Sequence, residues 1–111
     1  MSDKEIIEAA RAFADQIMTS DTYRQYYYQR EKIKKQPELY EKVNEFRQRN
    51  FDLQNETDSD DMLDRMEAFE IEYDNFRENP LVDDFLRAEL AFCRMMKEVY
   101  VLLADEVDFE V

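Results

Sequence analysis

Glycine and histidine are both missing from this sequence of 111 residues. Phosphate-binding loops, dinucleotide fingerprints and nucleophile elbows require glycine at fixed positions, so none of them is present. Without histidine, the chain also lacks the commonest general base, the Ser-His-Asp triad and most zinc sites. These absences remove the commonest catalytic and cofactor-binding patterns, and we expect no cofactor and no bound metal.

Cysteine and long apolar runs are scarce as well. Cys93 is the single cysteine, which excludes an internal disulfide and is compatible with a reducing cytosol. No apolar run approaches the ~20 residues of a membrane-spanning helix. The first residues, MSDKEIIEAARAF, lack the basic start and the apolar stretch of a secretory signal. We expect a soluble protein in the cytoplasm.

The residues that are present favour helices. With two prolines and no glycine, the chain has few sites for the tight turns of β-hairpins and sandwiches. Apolar residues at 44% of the chain are sufficient for a core, and the length fits one domain. We predict a single all-α domain over residues 1–111, built as an elongated helical bundle of about five helices.

Capping signals and apolar spacing locate these helices. Ser2-x-x-Glu5 is a capping box, Ser20 with Asp21 caps a second helix, and Pro37 opens a third. The polar, acidic stretch QNETDSDD before Met62 reads as a loop. The predicted helices cover about residues 2–19, 20–36, 37–53, 60–78 and 79–107.

The last two helices carry the clearest apolar pattern. The fourth has a heptad seam, in steps of four and three, and the fifth has a stripe along some 40 Å of helix. Because a compact domain of this size is only about 34 Å across, we expect a second chain to cover the overhang. Asn79 and Pro80 are the predicted pivot of an antiparallel hairpin of these helices, with a kinked rod as the alternative. The predicted core and oligomer-interface residues are Met66, Phe69, Tyr73, Phe76, Phe85, Phe92 and Met96.

Charge is unevenly distributed along the chain. The net charge of −13 argues against nonspecific binding to nucleic acid or to anionic membranes. Residues 21–36 are nevertheless basic, and a short set of cations beside three consecutive tyrosines is a possible partner surface. A direct RNA-binding module, which stacks on single-stranded RNA, is the alternative interpretation of the Arg24–Lys35 helix. The predicted surface consists of Arg24, Arg30, Lys32, Lys34, Lys35 and Arg47.

The remaining candidate ligands are carboxylates and one thiol. Glu67, Glu70 and Glu89 resemble part of a di-iron site, which normally also requires Glu-x-x-His. Residues 57–61 imitate a calcium loop but lack its glycine and its regular ligand alternation. Cys93 lies on the apolar face of the last helix, so we predict a buried structural thiol.

Four fragments, in their order and spacing, together resemble the YlbF/YmcA family of bacterial regulators. The resemblance covers about residues 3–107, and its last block is the most specific. The fragments are Ser20-Asp21-x-Tyr23-x-x-Tyr26, Pro37-Glu38, Glu45-Phe46-Arg47-x-x-Asn50 and Asn79-Pro80-x-Val82-x-x-Phe85-Leu86-x-Ala88-Glu89-x-x-Phe92-Cys93-Arg94-Met95-Met96.

This resemblance implies a small helical protein without enzymatic activity that works in homo- or hetero-oligomers. Members of the family influence RNase Y-dependent mRNA maturation, competence, sporulation and biofilm formation, and a complex of them is associated with iron–sulfur clusters. We therefore predict a regulatory adaptor that binds itself and related or other regulatory proteins, without membrane or direct nucleic-acid partners. Cys93 would bind a cofactor only in a cluster shared between chains.

Overall fold

A computed structural model describes residues 1–55 and 61–110 of the chain. These ranges form five helices and no strand, and the last helix, at 27 residues, is the longest. The all-α class and the long final helix are therefore confirmed. Residues 56–60 of the predicted acidic loop, which include most of the calcium-loop candidate at 57–61, lie outside the described residues. The helices are α1 (Asp3–Met18), α2 (Asp21–Lys34), α3 (Pro37–Asn55), α4 (Met62–Phe76) and α5 (Pro80–Glu106).

Side-chain caps begin three of the helices. The Tyr23 backbone N–H donates to Ser20 Oγ at 3.1 Å, and the Leu81 N–H donates to Asn79 Oδ1 at 3.0 Å. At the start of α1, the Ser2 side chain accepts a hydrogen bond from the Glu5 backbone N–H. Each bond satisfies a backbone donor that the first helical turn leaves unpaired. The caps predicted at Ser2 and Ser20 are confirmed, and Asn79 is the cap of α5.

A left-handed residue ends α5 without glycine. Asp108 has a φ of 55°, a conformation that aspartate tolerates better than most residues do. This turn lets the Phe109 N–H donate to the Ala104 carbonyl at 2.9 Å, which satisfies one of the last carbonyls of the helix. Aspartate thus takes the place that glycine usually holds at helix ends.

The described chain divides into two compact units. Unit 1 comprises Met1–Tyr28 and Arg87–Val111, and unit 2 comprises Gln29–Leu86. All of α1 belongs to unit 1, whereas α3 and α4 belong to unit 2; α2 and α5 each supply a segment to both. The assignment of residues 1–111 to a single domain stays a prediction.

Unit 2 contains all the buried residues of the described ranges. Phe46 of α3 lies at its centre, with its ring stacked 4.8 Å from that of Phe76 and 5.7 and 6.0 Å from those of Phe69 and Tyr73. Such aromatic pairs add to the stabilisation from apolar burial. The complete set is Ile33, Val43, Phe46, Leu53, Phe69, Phe76, Val82 and Phe85.

The apolar seam of α4 packs against α3, which differs from the predicted hairpin of α4 and α5. Among the described residues, α3 and α4 form the most extensive helix pair. Heptad spacing locates the apolar face of a helix, but it does not say which neighbour covers that face. Asn79 and Pro80 cap and open α5. Beside them, Arg77 Nη2 lies 2.7 Å from Asp83 Oδ1 across the turn.

Unit 1 has aromatic contacts but no buried residue in its described part. The ring of Phe92 on α5 stacks on that of Tyr26 at 5.1 Å and meets Tyr23 edge-on at 5.4 Å. All three rings are half-buried. Unit 1 is therefore folded into helices without a core of its own.

Candidate protein-interaction surfaces

An exposed apolar seam runs along α1. Ile6, Ala10, Phe13 and Ile17, which we call the α1 seam, are spaced by four, three and four residues and so share one side of the helix. Ile6 is 52% exposed and Phe13 is 40% exposed, and α1 contains no buried residue. An amphipathic helix normally turns such a face toward a core, and here the described chain covers it only in part, at the half-buried Ile17.

A second exposed seam occupies the end of α5 and the residue that follows it. Cys93, Met96, Tyr100, Leu103 and Val107, the α5 seam, follow one another at steps of three, four, three and four. Tyr100, Leu103 and Val107 are each more than half exposed. Two apolar seams of the same spacing therefore lie largely uncovered in unit 1.

The prediction of a buried thiol at Cys93 is wrong for the described chain, because this side chain is exposed. Consecutive helical residues point about 100° apart. Phe92 takes the direction that faces the α2 tyrosines, and Cys93 is consequently turned away from them.

The residues predicted for the core and the oligomer interface fall into three groups. Phe69, Phe76 and Phe85 are buried in unit 2, whereas Tyr73 and Phe92 are half-buried. Met66 and Met96 are exposed, and Met96 belongs to the α5 seam. The three buried residues belong to the core of a single chain. A role of any of these residues in an oligomer interface stays a prediction.

The predicted basic surface is divided between the two units. Arg24 belongs to unit 1, and the other predicted cations belong to unit 2. Two of the cations in unit 2 lie over aromatic rings. Lys34 Nζ is 5.6 Å from the centre of the Tyr40 ring, and the Arg47 guanidinium is 5.5 Å from the centre of the Phe85 ring. The stems and charges of these two cations thus also stabilise unit 2.

The three consecutive tyrosines of α2 have different environments. Tyr26 is half-buried against Phe92, whereas Tyr27 and Tyr28 are 48% and 59% exposed. One of the three therefore serves packing, and two present their rings at the surface.

An ion pair between α3 and α4 was not predicted from the sequence. Arg49 Nη1 lies 2.7 Å from Glu72 Oε2, and the Arg49 guanidinium lies 5.1 and 5.3 Å from the ring centres of Phe46 and Phe69. The hydrogen bond and the positive charge of Arg49 lower the pKa of Glu72 below its ordinary value. Only the α3–α4 packing brings these residues together, so no local pattern could have found them. The pair covers the aromatic cluster of unit 2.

The described residues offer no metal-binding constellation. Within 1–55 and 61–110, no three cysteine, aspartate or glutamate side chains come together as a possible site, so Glu67, Glu70 and Glu89 are not assembled into one. An iron–sulfur cluster needs about four ligands, and each chain has one cysteine. The cluster implied by the family resemblance therefore does not fit a single chain.

The helices of residues 1–55 and 61–110 are not of the membrane-spanning kind. None of the helices found there combines the length and the apolarity that crossing a bilayer requires.

Comparison with known proteins identifies the family. A family model described as control of competence regulator ComK, YlbF/YmcA, matches residues 6–108. The chain belongs to the YlbF/YmcA family. A UPF0342 protein from Caldicellulosiruptor bescii is 18% identical to the chain over 109 residues, which cover 96% of this chain and 92% of that protein. No solved structure matches the chain.

The YlbF/YmcA match confirms the resemblance drawn from the sequence fragments. It includes both apolar seams and all the cations of the predicted partner surface. These surfaces therefore belong to the family domain itself.

Proposed function

We propose that this chain is a non-enzymatic regulatory adaptor that acts in the cytoplasm by binding itself and other regulatory proteins. The observation that carries the proposal is the pair of largely uncovered apolar seams in unit 1. Exposed apolar helix faces are typical binding surfaces for other helices. Membership of a family of competence-control regulators supports the regulatory role.

The processes that we propose for this adaptor are those of the YlbF/YmcA regulators: RNase Y-dependent mRNA processing, competence, sporulation and biofilm formation. An adaptor influences such processes by holding proteins together, so it needs binding surfaces rather than catalytic groups. The absence of histidine and glycine from the sequence is compatible with this role.

We assign recognition of other proteins to the basic surface of α2 and α3. Lys32 and Lys35 are exposed there, on a chain whose net charge is −13. A local positive surface on an acidic protein favours an acidic partner and disfavours a basic one, chiefly through the association rate.

Complementation of a deletion strain tests this function. The strain would receive wild type, a Lys32→Glu/Lys35→Glu double variant, or a Lys4→Glu/Arg11→Glu control with the same change of charge at exposed positions of α1. Transcript 5′ ends and competence frequency are measured at equal protein levels. We expect wild type and control to restore both, and the Lys32→Glu/Lys35→Glu variant to fail.

Two results of this experiment contradict the proposal. Unchanged transcript processing and competence in the deletion strain would remove the regulatory role. An equal loss of function in the α1 control would show that the basic surface has no special part in it.

Direct RNA binding is the competing outcome. Fluorescence anisotropy with a labelled single-stranded RNA should show no saturable binding to the wild-type protein. Tight binding that weakens steeply with salt, and disappears in the Lys32→Glu/Lys35→Glu variant, would replace the adaptor by an RNA-binding module.

A further inference from the structure

We propose that the turn between α2 and α3 binds a short acidic segment of a partner protein. An apolar side chain of that segment enters a hollow beside Pro37, and its carboxylates lie on Lys32 and Lys35. The proposal rests on the adaptor function and deepens it by naming the kind of partner that the basic surface takes. All of these residues belong to unit 2.

The hollow at this turn, which we call the α2–α3 hollow, has a volume of about 660 Å³. Ligand pockets commonly measure about 300–1,000 Å³. Pro37 and the half-buried Leu39 give the hollow an apolar surface, and Lys42 forms part of its wall. The Lys42 Nζ lies 5.3 Å from the centre of the Phe76 ring, a contact that holds this wall in place. The described lining residues are Gln36, Pro37, Glu38, Leu39 and Lys42.

Charge indicates that the partner segment is acidic. Residues 30–42 carry five basic and three acidic side chains, on a chain whose net charge is −13. Lys32, Lys35 and Lys42 are all exposed. An acidic segment is repelled by the chain as a whole and attracted at this turn, so charge directs it there. Because Glu38 lines the hollow, the side chain that enters it is uncharged.

The positions of the lysines set the spacing within the segment. Lys35 is two residues before Pro37, so their Cα atoms are at most about 7 Å apart. Lys32 lies nearly one helical turn, about 5 Å, before Lys35. An extended segment advances about 3.3 Å per residue. Carboxylates two to four residues from the apolar side chain therefore reach both lysines.

The surroundings of the hollow favour a peptide over single-stranded RNA. Proteins that bind single-stranded RNA stack its bases on exposed aromatic rings. Of the described residues, those that line the hollow are all non-aromatic. The neighbouring Tyr40 is half-buried, and Lys34 Nζ lies 5.6 Å from the centre of its ring. An apolar peptide side chain, by contrast, requires only an apolar hollow.

Fluorescence anisotropy with three labelled peptides tests the site on the full chain. Each peptide has four consecutive glutamates, followed by one, two or three serines and then a leucine. We expect at least one of them to bind saturably, and more weakly as salt is added. Replacing its leucine by serine should weaken binding about tenfold or more, because the apolar contact is lost. Replacing its glutamates by glutamines should abolish binding.

Two variants of the chain separate the lysines from the hollow. Lys32→Glu/Lys35→Glu should lose the peptide, whereas the Lys4→Glu/Arg11→Glu control on α1 has the same change of charge and should retain it. Gln36→Trp fills the hollow without changing a charge. It should weaken binding of the leucine peptide about tenfold and leave that of the serine-substituted peptide unchanged. Thermal unfolding by circular dichroism checks that each variant is folded.

Backbone NMR gives a readout that does not depend on substitutions. Addition of the tightest of the three peptides should shift the amide signals of residues 32–42 and leave those of α1 in place. Shifts centred on α1 or on residues 93–107 would assign the peptide to the apolar seams and contradict the proposal.

Four other results overturn the proposal. None of the three peptides binds; or the leucine and serine peptides bind equally well, so that charge alone attracts them; or the α1 control loses as much affinity as the Lys32→Glu/Lys35→Glu variant. The fourth is a labelled single-stranded RNA that displaces the peptide and binds more tightly, which would make RNA the ligand of this turn.

This proposal and the adaptor function fail in different ways. Peptides that do not bind remove the α2–α3 hollow as a binding site, while complementation still tests the regulatory role. A deletion strain without a phenotype removes that role and leaves the measured peptide affinity intact.

Discussion

At the scale of single residues, Phe46 holds unit 2 together. Its ring contacts three aromatic rings of α4, and Arg49 covers it from the solvent side. Periodic spacing identified Phe69 and Phe76 as apolar-face residues, because heptad steps are visible in sequence. It could not identify the contact with Phe46, which depends on which helix packs against α4.

Replacing Phe46 by alanine should destabilise the protein by about 3–5 kcal/mol, since it removes a buried ring and leaves a cavity. Urea unfolding at a fixed protein concentration measures this change. Phe51→Ala on the same helix is the control, because Phe51 is 62% exposed whereas Phe46 is 6% exposed. Equal losses from both variants would show that Phe46 is not the centre of this core.

The Arg49–Glu72 pair gives a pH-dependent prediction. Because Arg49 lowers the pKa of Glu72 in the folded state, the pair stabilises the fold above the ordinary value of 4.5. That stabilisation is lost as the pH falls through the folded pKa. NMR titration should show the pKa of Glu72 rising in Arg49→Gln, and the difference in urea midpoint from wild type should shrink on acidification. A Glu72 pKa that does not respond to the substitution contradicts the pairing.

At the scale of helices, the first residue of a helix was easier to predict from the sequence than the helix that packs against it. Ser2, Ser20 and Asn79 act locally, within one turn, so their types and positions in the sequence are sufficient. The partner of α4 is a tertiary property, and the predicted hairpin with α5 was not found. The exposure of Cys93 has the same origin, because spacing defines a stripe but not the part of it that is covered.

The cap of α5 is testable by a pair of substitutions. Asn79→Ala removes the acceptor that receives the Leu81 N–H at 3.0 Å, and it should cost about 0.5–2 kcal/mol of stability. Asn79→Asp retains an acceptor and adds a negative charge at the helix N-terminus, so it should preserve or raise stability. Thermal unfolding followed by circular dichroism compares them. Two variants of equal stability would mean that the cap contributes nothing.

At the scale of the whole molecule, the family and the helical class could be predicted from the sequence, and the placement of the core could not. Absent glycine and abundant helical spacing determine the class, and ordered fragments determine the family. All described buried residues lie within Gln29–Leu86. Their placement depends on many contacts between helices, and no single pattern in the sequence specifies those contacts.

The net charge of −13 makes a prediction about self-association. Two copies repel each other, and added salt screens that repulsion. The self-association that we propose should therefore tighten when salt rises from about 0.05 M to about 0.5 M, measured as a lower dissociation constant in sedimentation equilibrium. Weakening over the same range would indicate an interface built on opposite charges.

The division of the chain also bears on the order in which it folds. Unit 2 is one continuous stretch, Gln29–Leu86, whereas unit 1 is made from both ends of the chain. Bringing the two ends of the chain together closes a loop that consists of the intervening residues. This closure has an entropic cost before any contact within unit 1 compensates for it. Folding of the internal segment shortens that loop, so the middle of the chain should become structured first and the two ends should associate afterwards.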